Sequence, residues 1–316
     1  MKNSVSKLES IGFSLTRTNY FRCLLAYSGI DLVGGTLGVY LTKADGSKQL
    51  FDIEKVVRTC LRMGASSQLA FQIAQKVESR VYDGMPTKKV LQLIFKFMRK
   101  HKPGVGHLFD LRKGLSQMGS KPEFEVFVRV LLEHHGFEVE PNKILKGRCV
   151  EHEVDAIAKK DGVTYFVEAK HHLSYHALTG LDESRIARAI LEDVSEGYAM
   201  GTINFKIDKA MIVTNTRYSE HAIKYGQCRD ITQIGWNYPA NEGIENMIEE
   251  KSLHPLSCLR GLRNEDRLKL VESGFVLIRQ ILAENQWALA EKTGLGRELA
   301  GEIMEKAQHS ANTLEY

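Results

Sequence analysis

Four ionisable side chains, Glu153, Asp155, Glu168 and Lys170, lie within one short stretch, EVDAIAKKDGVTYFVEAK, residues 153–170. A purely structural strand pair places few charges in its interior, so this face is either solvated or chemically active. Asp161-Gly162 is a strong signal for a two-residue turn with positive φ. With those two residues as the turn, Lys160 pairs with Val163 and Asp155 stands opposite Glu168. A four-residue turn over 159–162 shifts the pairing by two. Strand side chains alternate, so either register keeps Asp155, Glu168 and Lys170 on one face. The other face reads Val154, Ala156, Ala158, Val163, Tyr165, Val167 and Ala169, an apolar layer suited to a core.

Directly opposed strand residues stand about 5 Å apart at Cβ. Two carboxylates at that separation repel, and burial pushes one of them toward protonation. A divalent cation resolves the conflict, and carboxylate oxygens suit Mg²⁺ (or Mn²⁺), which keeps water ligands. Asp155 and Glu168 are therefore the expected metal ligands. Lys170, two residues past Glu168, can orient a water and stabilise charge developing on a phosphoryl group. Together these residues suit metal-assisted phosphodiester hydrolysis. Glu125, near the start of the preceding helix, adds a fourth oxygen donor if that helix packs beside the hairpin. The alternative is a solvated strand face, on which Glu-x-Lys pairs are common.

The elements that must position these groups can be read outward from the hairpin. Before it, GSKPEFEVFVRVLLEHHGF predicts a helix with a capping box of Ser120 and Glu123, Pro122 in the first turn, and Gly136 at its end. After it come a mostly polar helix, LDESRIARAILEDVSEGYAMG, a buried strand, KAMIVTNT, a helix from Ser219 to about Gln227, and a short strand, ITQIGW. That order predicts an α/β sandwich around a central mixed sheet over 115–254. Upstream, LGVYLTKADGSKQLFD predicts a hairpin. Asp52 caps a first helix, a second runs to Gly84, and Thr87 opens a third that stops before Pro103. This makes a compact α+β unit over 37–114. Residues 1–36 lack a clear pattern and are expected as an arm, and 255–316 are expected to be helical with Gly294-Leu295-Gly296 between helices. No internal repeat of solenoid period is evident.

With the residues in hand, the run from Gly119 through the hairpin to KAMIVTNTRYSEHAIKYG resembles the PD-(D/E)xK nucleases, most closely their Mrr-type restriction endonuclease branch. The likeness spans about residues 115–240. It implies a restriction-endonuclease-like fold in which Asp155 and Glu168 bind metal, Lys170 is the catalytic lysine and Glu125 the helical carboxylate. The proline that often precedes the Asp is Val154 here. The N-terminal segment resembles the ATP-cone, a regulatory nucleotide-binding module. Lys43, Asp45, Gly46, Phe51, Lys55 and Thr87 match its pattern, which implies that Lys43 and Lys55 neutralise phosphates of ATP or dATP and that Thr87 bonds the base or holds the loop. Ala44 replaces the module's usual arginine and removes one phosphate-binding cation, leaving a purely structural or DNA-facing role as the alternative. AEKTGLGRELAGEIMEKA resembles a helix-hairpin-helix, whose glycine turn exposes N–H groups to phosphate, reinforced here by Arg297; the alternative is a helical turn with glycine caps.

Composition agrees with these readings. The chain has 316 residues, 43% hydrophobic and 26% charged, with a net charge of +4. This is a folded multidomain chain, and so mild a charge permits a polyanionic partner through a local basic patch. Its five cysteines lie far apart without a C-x-x-C pair, which argues against a zinc ribbon or disulfide framework and suits a reducing cytoplasm. CLLAYSGIDLVGGTLGVYL is too interrupted for an export signal or membrane span. There is no P-loop. The histidines at 134, 135, 171, 172 and 176 form no closed ligand set, and Trp236 and Tyr238 are expected to pack at a strand end. The expectation is a cytoplasmic Mg²⁺-dependent DNA endonuclease. A metal-bound water attacks the phosphodiester, a nucleotide effector regulates cutting, and a homodimer supplies one site per strand. The alternative is a nucleotide-responsive DNA-binding regulator with an inactive nuclease fold.

Overall fold

Alternating apolar residues and an Asp-Gly turn start the described chain. The structure, a computed structural model, describes residues 38–101 and 110–314; the expected arm over 1–36 lies outside them. Strands β1 (Tyr40–Thr42) and β2 (Lys48–Leu50) pair antiparallel. Their turn is closed by Asp45, whose carboxylate accepts from the Ser47 N–H at 2.9 Å and hydroxyl at 2.6 Å. Asp52 caps α1 (Ile53–Arg62) by accepting from the Glu54 N–H. Helix α2 (Ser67–Glu78) ends six residues before the expected Gly84. The chain leaves the helix to bond back along β1, with Gly84 N–H donating to Tyr40 O at 2.7 Å and Thr42 N–H to Met85 O at 3.0 Å. Helix α3 (Thr87–His101) follows. The helices and hairpin close around their own core, including Val56, Cys60, Ile73, Val77, Ile94 and Met98. Burial pushes the Cys60 thiol up to about 12.

After α4 (Leu111–Ser116), the chain makes a π-type turn over Ser120–Phe124 before α5 (Glu125–His134). The expected capping box of Ser120 and Glu123 does not form. Lys121 is extended (φ −127°, ψ 139°), so Ser120 stands outside the helix. Its hydroxyl meets His171 Nδ1 at 3.3 Å. Glu123 instead accepts from the Gly119 N–H at 2.7 Å and faces Arg267 at 2.9 Å.

Strands β3 (Glu138–Lys146), β4 (Glu151–Lys160) and β5 (Val163–Lys170) form an antiparallel meander. Only the last two of these were expected; β3 carries too many charges and a proline to read as a strand. Strand β6 (Leu178–Thr179) and helix α6 (Leu181–Met200) lead to β7 (Lys209–Thr214), β8 (Arg217–Tyr218), α7 (Glu220–Cys228) and β9 (Thr232–Ile234). The main sheet is mixed, in the order β3-β4-β5-β7-β9, with β5, β7 and β9 parallel. A small second sheet pairs β6 with β8. Helices cover both faces. On one, Phe124, Phe127 and Leu131 meet Ala156, Ala158, Val167 and Val213. On the other, Ala187, Leu191, Val194 and Ala222 meet Ile157, Phe166 and Ile212.

Gly197 allows α6 to lie against the β3–β4 turn. A Cβ there would stand 2.7 Å from Lys146 O and 2.8 Å from the Gly147 carbonyl carbon. Gly197→Ala is therefore expected to cost about 1–3 kcal/mol despite alanine's better helix propensity. A urea titration of the variant that matched the parent's midpoint would contradict this packing.

The C-terminal part comprises α8 (Ile244–Glu250), α9 (Asn264–Glu272), α10 (Ile278–Leu282), α11 (Gln286–Thr293) and α12 (Arg297–Leu314). The expected helical run over 264–282 splits at Gly274 (φ +86°), after which Phe275 is buried. Gly294 (φ +66°) and buried Leu295 repeat that turn between α11 and α12. Val271, Val276 and Leu277 enter the same core as Phe124 and Phe127. A buried ion pair, Glu123–Arg267, whose side chains are 8% and 9% exposed, also ties this part to the turn before α5.

Candidate active site

The Asp161-Gly162 turn forms as expected, both residues having positive φ. Lys160 pairs with Val163, and the rungs continue to Ala156 with Val167. The ladder stops there. Asp155 is the next residue, and its side chain takes the place of a rung by accepting from the Ala169 N–H at 2.7 Å. The β3–β4 ladder also skips Asn142 and Asp155, and Asn142 has φ +29°. Arg129 of α5 fills that break, donating to Asn142 Oδ1 at 3.0 Å and to Asp155 O at 3.4 Å.

The break alters the expected faces. Ala156, Ala158, Tyr165, Val167 and Ala169 share one core, as their alternation predicts. Val154 does not join them; it packs with Ile157 and Phe166 on the opposite side. Simple alternation fails because the backbone turns at Asn142 and Asp155. Asp155 consequently reaches the α5 side, where its carboxyl meets that of Glu125. Lys170 lies toward α6, with its ammonium 3.2 Å from Glu168 and 3.4 Å from Glu183.

The two groups of charges sit side by side. Burial pushes the Glu125 carboxyl up, the negative charge of Asp155 adds to this, and Lys121 at 3.1 Å partly offsets it. Glu168 is also raised, by burial first; Lys170 opposes the shift and Asp155 reinforces it. Burial alone lowers the Lys170 ammonium, but Glu168 and Glu183 outweigh it and the net shift is upward. Lys170 is thus a charged donor at neutral pH, unsuited to act as a base.

Of the residues singled out by sequence, the structure sets Asp155 with Glu125 on the α5 side and Glu168 with Lys170 toward α6. The expected common face of Asp155, Glu168 and Lys170 therefore does not form, although Asp155 and Glu168 still act on each other. Sequence reasoning missed Lys121, Arg129 and Glu183. Arg129 could have been found from its i,i+4 spacing to Glu125, which puts both on one helix face. Glu183 carries no comparable signal, since α6 is polar along much of its length. Among the described residues no three His, Cys, Asp or Glu side chains form a ready-made metal cluster. The donor set nonetheless fits a hard divalent cation. The buried Glu125 carboxyl and the half-buried Asp155 carboxyl repel at close range, and a cation bound by their oxygens would relieve that repulsion.

In the N-terminal unit, Thr42 bridges Pro86, so Lys43 and Thr87 emerge side by side. Lys55 lies in the first turn of α1, 3.9 Å from Asp52. The histidines bond individually. His135 meets Met247 O, His171 meets Leu115 O, and His172 meets the Thr179 hydroxyl. Trp236 and Tyr238 pack at the end of β9, Tyr238 edge-on to Tyr218 at 5.9 Å. Arg297 and Gly296 are exposed at the start of α12.

Residues 116–234 match the family profile described as a restriction endonuclease, the Mrr catalytic domain. An uncharacterized protein of Archaeoglobus fulgidus is 38% identical over 179 residues, covering 56% of this chain and 96% of the relative. The chain belongs to the same family as this archaeal protein and carries an Mrr-type restriction endonuclease domain. A crystal structure of a protein of unknown function is also 38% identical, with a TM-score of 0.52, covering 58% of this chain and 94% of the other. The Mrr-type domain contains the whole meander, α6, β7 and α7. The profile is that of the PD-(D/E)xK-type restriction endonucleases, which implies a nuclease domain, and the mixed sheet between helices agrees with that fold. Among the described residues no helix is long and apolar enough to cross a membrane.

Proposed function

We propose that the protein is a Mg²⁺-dependent DNA endonuclease whose centre is built from Asp155, Glu168, Lys170 and Glu125. The observation carrying this reading is the Asp155 carboxyl meeting Glu125 beside the Glu168–Lys170 pair. Asp155, Glu168 and Glu125 would hold the cation, which when bound acidifies water and polarises a phosphoryl oxygen. The Ala169 N–H fixes the Asp155 carboxylate, and Lys121 lies against Glu125. Lys170 directs its ammonium at the attacking water or a phosphoryl oxygen. As water adds to phosphorus and gives up a proton to solvent, the sugar oxygen leaves with the bonding electron pair and takes up a proton from solvent, and Lys170 balances the charge on the phosphoryl oxygens.

Purified protein is expected to nick supercoiled plasmid in Mg²⁺ and to stop in EDTA or on Asp155→Ala. DNA binding without cutting in any divalent cation would favour the regulator. Cation affinity should weaken as pH falls, beginning above the ordinary carboxylate range, because Glu125 and Glu168 are both raised and must lose a proton to bind. Calorimetric titration of Mg²⁺ between pH 8 and pH 5 measures this; a flat affinity would remove the raised carboxyls from the ligand set.

The N-terminal unit is proposed to bind ATP or dATP through Lys43, Lys55 and Thr87, although Ala44 leaves one cation fewer than the module's pattern. A change in nicking rate on adding either nucleotide tests it. The exposed Gly296 and Arg297 turn is proposed as a second grip on DNA, and a homodimer would bring one centre to each strand. The cytoplasm suits the free thiols of Cys60, Cys149, Cys228 and Cys258.

A further inference from the structure

Beyond the acidic centre, a second group of residues gathers where the parallel strands β5, β7 and β9 end. Arg112 of α4 donates to Tyr175 O at 2.6 Å, and its guanidinium lies 5.4 Å from the ring centres of both Tyr175 and Trp236. The Trp236 N–H donates to Thr216 O at 2.9 Å, so Trp236 ties Arg112 to the residue beside Arg217. Arg112 Nε is buried with no hydrogen-bond partner. Arg217 is exposed in β8 and makes no ion pair among the described residues.

The two cations bear on each other. Burial and then Arg217 hold Arg112 below the usual guanidinium range. Nearby carboxylates supply only partial relief. Asp110 accepts from the Lys113 N–H as the α4 cap, and Glu245 accepts from the Asn237 N–H. Asp45, at the tip of the N-terminal hairpin, and Arg217 both act on His176, which lies against Tyr175. Two guanidiniums brought near each other, one of them exposed, favour an anion placed beside them.

The location indicates which anion. Thr214 pairs with Lys170 across the sheet, and Arg217 follows Thr214 by three residues, at most about 11 Å of chain. The link is rigid, because the Asn215 side chain accepts from the His172 N–H at 2.9 Å and donates to His172 O at 2.8 Å. We propose that Arg217, backed by the aromatic-stacked Arg112, binds a backbone phosphate of duplex DNA next to the one being cut. The assignment rests on the nuclease reading and adds a substrate-positioning site to it. Arg112 is held as a pre-ordered second charge, whereas Arg217 makes the direct contact.

Binding of a short fluorescent duplex in EDTA, followed across a salt series, tests the site without requiring cleavage. Arg217→Gln should weaken binding roughly two- to tenfold and lower the slope of log affinity against log salt by about one. Arg217→Lys should restore the slope, since it keeps the charge. Lys251→Gln, which removes a cation paired with Glu250 on α8, should leave the slope at the parent value. An unchanged slope in Arg217→Gln, or an equal fall in Lys251→Gln, overturns the site. Plasmid nicking in Mg²⁺ is read separately. Parent protein that nicks while Arg217→Gln binds normally overturns only this inference, whereas parent protein that neither binds nor nicks overturns the nuclease reading as well.

Discussion

A Lys170→Ala protein is expected to nick plasmid about 10²–10³-fold more slowly than the parent, the usual loss when one donor to a developing anion is removed. The reasoning starts from its surroundings. Lys170 stands 3.2 Å from Glu168 and 3.4 Å from Glu183, and those carboxylates keep its ammonium charged against the effect of burial. A permanently charged lysine contributes through its field and its hydrogens. The activity of the parent should consequently show no gain from deprotonating Lys170 as pH rises from 6 to 9. Lys170→Arg keeps the charge but not the compact shape, and should recover only part of the rate. Initial nicking rates at saturating Mg²⁺, with thermal melts of each variant, separate loss of catalysis from loss of fold. A Lys170→Ala protein within threefold of the parent rate would remove the lysine from the mechanism.

The largest effect on stability is expected from Arg267→Met. Arg267 pairs with Glu123 at 2.9 Å and also donates to Gln117 O at 2.7 Å. Removing one member of a buried pair strands the other charge and costs about 3–5 kcal/mol, or roughly 6–20 °C in melting temperature. Glu123 is already raised by burial despite Arg267, and without the arginine it should rise further. A carboxyl whose folded pKa is raised contributes stability below its unfolded pKa and loses it as pH climbs through the folded value. The variant should thus lose more stability at pH 8 than at pH 5. Glu123→Gln combined with Arg267→Met should recover part of the loss, because no charge is then left unpaired. Equal melting temperatures for Arg267→Met and the parent at pH 8 would show that the pair is unimportant. The same pair anchors the turn leading to Glu125, so its loss should also slow nicking.

Local patterns alone were enough to place the Asp161-Gly162 turn, because a two-residue turn with positive φ is specified within one short segment; they left two registers open, and the expected rung between Asp155 and Glu168 did not form. The helix cap at Asp52, the helix start at Ser219 and the buried strand in KAMIVTNT, which the structure ends at Thr214, were readable for the same reason: each depends on neighbours in the chain. Strand β3 was not readable, since Glu138, Glu140, Pro141 and Lys143 hide a strand that is held by β4 rather than by its own composition. The capping box at Ser120 failed because Glu123 found Arg267, 144 residues away.

The centre divides along the same line. Residue types and order marked Asp155, Glu168, Lys170 and Glu125 as a group, and nothing longer than a hairpin was needed to connect three of them. Only the folded chain decided that Asp155 would leave the alternating pattern at Asn142, take the Ala169 N–H and meet Glu125 on α5. Only it brought Glu183 to Lys170 and Arg112 to Arg217, from separate elements whose own sequences favour helix or strand without reference to one another. Short-range preferences act through bonded neighbours and repeat in the sequence; contacts between distant segments depend on packing the two sheet faces at once, and leave no local mark.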